Sequence, residues 1–182
     1  MNNEEFTPWL WYSDIWPTKS KFYTWLRGSL RKAVWNTSPI KITFKNNACS
    51  SPPPNYTGRA KSGAYCALSG EWDGKSALQV DHIQGNVSLN DEGDILDFIK
   101  HLIPPPNSLQ LVTKEAHKIK SYAEKQGVSY INAYAEKKAI EIIKSKTDVE
   151  FLKSKGITPA SNAKLRREQL VEYFKQQGEM NE

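Results

Sequence analysis

The spacing of apolar residues predicts two amphipathic helices in the first part of the chain. One begins after Thr18, a residue type that commonly caps helices, and its apolar residues recur every four positions at Phe22, Leu26, Leu30 and Val34. The other covers residues 95–102 and is closed by three consecutive prolines. Each helix therefore has an apolar face that a core can bury.

Two other segments alternate apolar and polar residues as half-buried strands do. They are residues 77–83 (ALQVDHI) and 108–112 (SLQLV). Thr113 then caps a predicted helix that ends at Gly127, a suitable C′ residue. Three further helices are predicted over residues 129–146, 148–155 and 161–177. The combination indicates an α+β protein.

Composition divides the chain into three regions. A proline-rich loop over residues 50–58 separates a basic, aromatic, helical arm (residues 1–58) from a central core (residues 59–127). Residues 128–182 form a helical module. The chain has 182 residues, of which 38% are hydrophobic and 25% charged, and it contains no apolar run long enough to span a bilayer. Residues 1–11 are acidic and aromatic, unlike a signal peptide, so we expect a cytoplasmic protein without membrane contacts.

Charge is distributed unevenly along the chain. The 56 residues between Asp14 and Glu71 contain nine Lys or Arg and no acidic residue, although the whole chain carries a net charge of only +5. This segment predicts contacts with phosphates, and a lysine-rich solvated face is the alternative. The next stretch, from Glu71 to Asp97, holds seven acidic residues against Lys75 alone, which favours a metal site beside a polyanion-binding region.

Five of the six tryptophans lie within the first 35 residues. Core packing is the favoured role for them, and stacking on nucleic-acid bases is the alternative. The predicted helix after Thr18 also carries cations off its apolar stripe. We assign DNA binding to Lys21, Arg27, Arg31 and Lys32.

The order of chemical groups in the core carries a family resemblance. Asp81 and His82 are adjacent at the end of a predicted strand, so their side chains point to opposite faces. They are followed by an Asn, a second strand and a helix with His117 in its first turn. The phrases LQVDHI and LQLVTKEAHKIKS resemble the HNH endonucleases of the ββα-metal class, and the small HNH nucleases of bacteriophages in particular. Weaker similarity to the phage proteins extends through WPTKSKFYTWLRGSLRKAVW.

The resemblance implies a division of labour among these residues. Asp81 and His117 would bind one divalent cation, Mg²⁺ or Mn²⁺, and His82 would be the general base, which suits an imidazole that titrates near neutrality. Asn107 corresponds to the central Asn that steadies the loop carrying the base, although alignment on LQLV places Ser108 there. Lys118 and Lys120 would meet DNA phosphates. The implied products carry 5′-phosphate and 3′-hydroxyl ends.

Many members of this family are braced by a structural zinc ion held by two CxxC pairs. In this chain Cys66 is the only one of those four thiols that is present. We therefore expect no structural zinc and an ordinary buried Cys66 thiol.

The C-terminal module resembles a helix-extended-loop-helix or SAP-like DNA-binding unit. Its cations Lys164, Arg166 and Arg167 stand near the start of the last predicted helix and are assigned to DNA, with a purely structural helical hairpin as the alternative.

The sequence thus predicts a metal-dependent HNH endonuclease that cleaves DNA, most simply duplex DNA, in the cytoplasm of a host cell if a phage encodes it. A monomer with one site would nick, and a homodimer would be needed for a paired cut. Two alternatives stay open. One is a non-catalytic DNA-binding protein on a degenerate HNH fold, and the other is a structure-specific or RNA-directed nuclease.

Overall fold

A computed structural model describes residues 6–85 and 87–179, with side chains as far as residue 177. The structure divides into two compact units, one ending at Thr113 and the other beginning at Lys114. This division differs from the predicted boundaries after residues 58 and 127, because the basic N-terminal segment folds within the same unit as the two strands. Both predicted end regions, 1–58 and 128–182, extend beyond the described residues.

The first unit opens with three helices. They are α1 (Pro8–Trp11), α2 (Lys19–Leu30), which continues into a π-helical turn (Arg31–Trp35), and α3 (Pro39–Ala48). The side chain of Thr18 accepts a hydrogen bond from the backbone N–H of Lys21 at 3.2 Å, which confirms the predicted cap of α2.

Two antiparallel hairpins follow. The first pairs β1 (Gly63–Tyr65) with β2 (Trp72–Gly74), and the second pairs β3 (Leu78–His82) with β4 (Leu109–Thr113). Between β3 and β4 lies α4 (Ile95–Leu102), with the bounds that the sequence predicted. A short 3₁₀ turn, Pro106–Ser108, leads into β4.

One core cluster of the first unit is formed by the apolar faces of α2 and α4. Its buried residues are Phe22, Tyr23, Leu89, Phe98 and Leu102. Trp9, Trp16 and Trp35 are half-buried against this cluster, which confirms core packing for those three tryptophans. Trp11 and Trp25, in contrast, are 53% and 50% exposed.

The second unit is entirely helical over its described residues. It comprises α5 (Lys114–Gln126), α6 (Tyr130–Lys144), α7 (Asp148–Ser154) and α8 (Ala163–Glu179). Gly127 adopts a positive φ of 65° and ends α5 as predicted, since a residue without a Cβ enters this conformation at little cost. One apolar cluster joins α5 to α6, and another, around Ala139, Leu152 and Leu170, joins α6, α7 and α8.

The structure confirms the α+β class and all of the predicted helices and strands, with small shifts at their ends. The sequence prediction lacked α1, α3, the π-helical turn and the β1–β2 hairpin. Strands of three residues are too short to show an alternating pattern, which explains the missed hairpin.

Candidate functional site

The β3–β4 hairpin fixes the backbone at the Asp-His pair. Asp81 lies opposite Gln110 and His82 opposite Leu109, and the backbone N–H of Ile83 donates to the carbonyl of Ser108 at 2.9 Å. The ladder therefore continues past both candidate residues and holds their main chain at fixed positions.

The Asp81 carboxylate is buried, with 8% of the residue exposed. Its Oδ2 accepts a hydrogen bond from the side-chain amide of Gln110, with an N–O distance of 3.0 Å. An ionised carboxylate accepts several bonds at once, so this bond is compatible with coordination of a cation. The sequence prediction did not include Gln110. Pairing of the two predicted strands in this register would have placed it directly opposite Asp81.

The His82 imidazole is half-buried and oriented by a main-chain group. Its Nε2 lies 2.7 Å from the carbonyl oxygen of His101, in the last turn of α4. Because a carbonyl only accepts, Nε2 carries the proton, and a neutral ring then has its lone pair on Nδ1. The last carbonyls of a helix have no partner within the helix, so α4 offers an acceptor at this point.

His101 itself differs from the prediction. The sequence indicated a surface histidine without a role, whereas the structure places it half-buried, with its ring stacked on that of His82. Trp35, at the end of the π-helical turn, also contacts the His82 ring. Neither contact can be seen in the sequence, because the three residues come from separate elements.

Asn107 lies in the 3₁₀ turn that precedes β4, and its side chain is exposed. The neighbouring Ser108, which shares the aligned position, provides the carbonyl that pairs with Ile83. The turn thus adjoins the end of β3, and the predicted role of the Asn107 amide stays a prediction.

His117 belongs to the second unit, whereas Asp81 and His82 belong to the first. It is half-exposed in the first turn of α5, as the sequence predicted. On the same helix Lys118 is exposed, and Lys120 forms an ion pair with Glu124 at 3.3 Å. The assignment of both lysines to phosphates stays a prediction.

The proposed metal ligands are therefore one carboxylate and one imidazole. This donor set suits Mn²⁺ or Mg²⁺, which complete their coordination with water and phosphate oxygens. Over the described residues, no group of three or more His, Cys, Asp or Glu side chains is arranged to hold a metal ion. The assignment of Asp81 and His117 as metal ligands comes from the sequence and its resemblance and stays a prediction.

Cys66 is buried, as predicted, and its sulfur atom is hydrogen-bonded. Its Sγ accepts a hydrogen bond from the backbone N–H of Thr113 at 3.4 Å. Burial raises the pKa of this thiol, but hydrogen bonds from the Ser69 hydroxyl and from the backbone of Thr113, Leu68 and Ser69 outweigh it, so the pKa lies below its ordinary value. The sulfur thereby links the β1–β2 hairpin to the end of β4.

The basic segment presents only some of its cations to solvent. Lys21 and Lys32 are exposed and Arg27 is half-exposed. Arg31 is exposed as well, but its guanidinium lies 5.5 Å from the centroid of the buried Phe98 ring, so it also packs on the core. Lys45 Nζ donates to the carbonyl of Leu78 at 2.5 Å and thus ties α3 to β3. The exposed members are the strongest candidates for phosphate contacts.

The cations of the C-terminal module have different environments. Lys164 is exposed. Arg166 donates from Nε to Asp148 Oδ2 at 2.5 Å and from a terminal nitrogen to the carbonyl of Ala160 at 3.2 Å, so it holds together the segment between α7 and α8. Arg167 forms an ion pair with Glu136 on α6. Both arginines have structural partners, and their assignment to DNA stays a prediction.

Comparison with protein-family models, with curated proteins and with solved structures gave no match to this chain. None of the helices within the described ranges has the length and apolar character that crossing a bilayer requires. Because the comparisons gave no match, the chemistry proposed for the site is inferred from its residues and from the resemblance of the sequence.

Proposed function

We propose that this protein is a metal-dependent HNH endonuclease that hydrolyses phosphodiester bonds in DNA. The observation that carries the proposal is the environment of the adjacent Asp81 and His82. Asp81 is a buried carboxylate steadied by Gln110, and His82 is an imidazole oriented by the carbonyl of His101. A hydrogen-bonded carboxylate suits a metal ligand, and an oriented imidazole suits a general base.

In the proposed reaction, His82 accepts a proton from water at Nδ1 while its Nε2–H continues to donate to His101. The hydrogen bond persists in both protonation states, so proton uptake requires no reorientation of the ring. The attacking water forms a bond to phosphorus as the bond to the 3′ oxygen breaks, and the 3′ oxygen takes a proton from solvent water, which leaves 5′-phosphate and 3′-hydroxyl ends. Asp81 and His117 would hold the divalent cation, which supplies stabilisation of the charge on the phosphate oxygens when bound.

The exposed cations of α2 and the following turn support DNA as the substrate class. Lys21, Arg27, Arg31 and Lys32 lie on one continuous helical segment in a stretch without acidic residues. Such a surface contacts the phosphate backbone without reading base sequence. Duplex DNA is the proposed partner. A monomer would nick one strand of it, and a homodimer would cut both strands.

Cleavage of supercoiled plasmid with Mg²⁺ or Mn²⁺ tests the proposal. We expect the wild type to convert the plasmid and His82→Ala to lose at least about 100-fold in rate, since a general base contributes roughly 10²- to 10⁴-fold. The exposed Gln84 offers a control, because Gln84→Ala should keep full activity. Wild type and His82→Ala that are equally inert, while both still shift DNA on a gel, would establish the non-catalytic DNA-binding alternative.

The structure-specific or RNA-directed alternative needs a separate comparison. The test measures cleavage of four competing substrates at one salt concentration: duplex DNA, single-stranded DNA, branched DNA and RNA. Preferential cleavage of duplex DNA supports the proposal, and preferential cleavage of RNA or branched DNA favours the alternative.

A further inference from the structure

Two aromatic rings from distant parts of the first unit contact the His82 imidazole. The centroid of the Trp35 ring lies 4.2 Å from that of His82, with an interplanar angle of 33°. The centroid of the His101 ring lies 4.0 Å away, with an angle of 24°. Trp35 ends the π-helical turn and His101 lies in the last turn of α4.

We propose that Trp35 and His101 are positioning residues that hold the His82 ring in the orientation required of a general base. The inference rests on the proposed function of His82. The bond to the His101 carbonyl fixes the direction of Nε2, and ring contacts add resistance to rotation about the Cβ–Cγ bond, which by itself has a broad energy profile. Together they determine where Nδ1 points.

The backbone explains how Trp35 reaches this place. The N–H of Asn36 bonds to the carbonyl of Arg31 at 3.0 Å, in the i to i+5 pattern of a π helix, and such turns often occur at functional sites. Trp35 is further held by the core cluster and by Lys41, whose Nζ lies 4.8 Å from the Trp35 ring centroid. The turn that carries Trp35 also carries Arg31 and Lys32, two of the proposed phosphate-binding cations.

His101 contributes through two separable groups. Its main-chain carbonyl accepts the bond from His82 whatever side chain the residue carries, whereas its ring makes the stacking contact. Substitution of the side chain therefore tests the ring alone. His101→Phe keeps an aromatic ring and His101→Leu removes it, and Trp35→Phe and Trp35→Leu form the matching pair.

The first measurement needs neither metal nor DNA. Long-range ¹H–¹⁵N spectra of the imidazoles report the tautomer of His82, and its ring protons report the stacked neighbours through their chemical shifts. We expect the Nε2–H tautomer in the wild type and in both Phe variants. The His101 carbonyl stays available in the Leu variants, but without the ring contact the His82 ring can turn away from it, so we expect a mixture of tautomers. The ring-current shift of the deleted ring is lost as a direct result of the substitution and does not count as evidence for the inference. Trp11→Leu, which removes a tryptophan that is 53% exposed, should leave the His82 signals unchanged.

The second measurement separates chemistry from binding. Single-turnover cleavage by the Leu variants should be about 10- to 100-fold slower at saturating DNA, with unchanged DNA affinity, because small displacements of a catalytic group cost rate and not binding. The Phe variants should recover most of the rate.

Folded Leu variants in which His82 keeps the pure Nε2–H tautomer of the wild type would overturn the inference. If Trp35→Leu does not fold, His101→Leu decides, because the His101 side chain is only partly buried, near the end of α4. A wild type that never cleaves DNA, together with Leu variants in which the His82 tautomer still changes, would refute the proposed function and leave the positioning role standing.

Discussion

Gln110 on β4 donates a hydrogen bond to the buried carboxylate of Asp81 on β3, across the antiparallel pair that aligns the two residues. The contact fixes the side-chain orientation of the proposed metal ligand. Groups that orient ligands in this way commonly contribute 10- to 100-fold to metal affinity.

Gln110→Ala should therefore weaken Mn²⁺ binding by about tenfold or more while the protein stays folded. Isothermal titration of Mn²⁺ measures the affinity directly. Gln79→Ala is a matched control on β3, since Gln79 lies opposite Val112 and should tolerate the change. Equal affinities for the two variants would show that Gln110 does not support a metal ligand.

The ion pair between Asp148 and Arg166 should stabilise the second unit in a pH-dependent way. The hydrogen bond from Arg166 lowers the pKa of Asp148, and the charge of Arg166 lowers it further, which together outweigh the opposing effect of burial. A carboxyl group whose pKa is lower in the folded state stabilises the protein above its unfolded pKa of about 3.9. That stability is lost as the pH falls through the folded pKa.

Asp148→Asn should consequently reduce stability at pH 7 and diminish the additional loss below about pH 4. Arg166→Ala should cost about 1–3 kcal/mol at pH 7, since it leaves a partly buried carboxylate without this partner. The adjacent Arg167→Ala should cost less than about 1 kcal/mol, because its ion pair with Glu136 is more exposed. Denaturant unfolding followed by circular dichroism measures all three, and equal losses for the two arginine variants would contradict the structural role of Arg166.

The hairpin β1–β2 should keep its structure when metals are removed. Cys66 serves as a hydrogen-bond acceptor for Thr113 at the end of β4, and we predict no zinc at this place. In buffer without Mg²⁺ or Mn²⁺, EDTA should leave the melting temperature unchanged, and metal analysis should find no stoichiometric zinc. Cys66→Ala should destabilise the protein by about 1–3 kcal/mol, because the backbone N–H groups lose their acceptor. Cys49→Ala, at the less buried cysteine, is the control and should cost less.

The exposed lysines of the basic segment should set the salt dependence of DNA binding. Lys21→Ala and Lys32→Ala together should reduce the slope of log K against log salt by up to about 1.8, because each phosphate that a lysine neutralises adds about 0.9 to the slope. The decrease in affinity should be similar for unrelated DNA sequences. Lys100→Ala removes an exposed lysine that pairs with Asp97 outside this segment, and it should leave the slope unchanged. An unaltered slope in the double variant would show that the segment does not touch the DNA backbone.

Local sequence determined α2, the helices α4 to α8 and the strands β3 and β4, but not the remaining elements. The four-residue spacing after Thr18, the cap at Thr18 and the alternation over residues 77–83 each reflect backbone geometry within a few residues, and the structure contains the corresponding helix and strand. The adjacency of Asp81 and His82 was likewise visible, because strand geometry alone places neighbouring side chains on opposite faces.

The tertiary structure decided what surrounds those residues. Trp35, His82 and His101 meet only because a π-helical turn, a strand end and a helix end pack together. The roles of Gln110 and Arg166 likewise depend on partners from other elements. Periodicity reports which face of an element is buried, whereas the identity of the residue across a contact depends on loop closure and packing between distant segments, which leave no local pattern in the sequence.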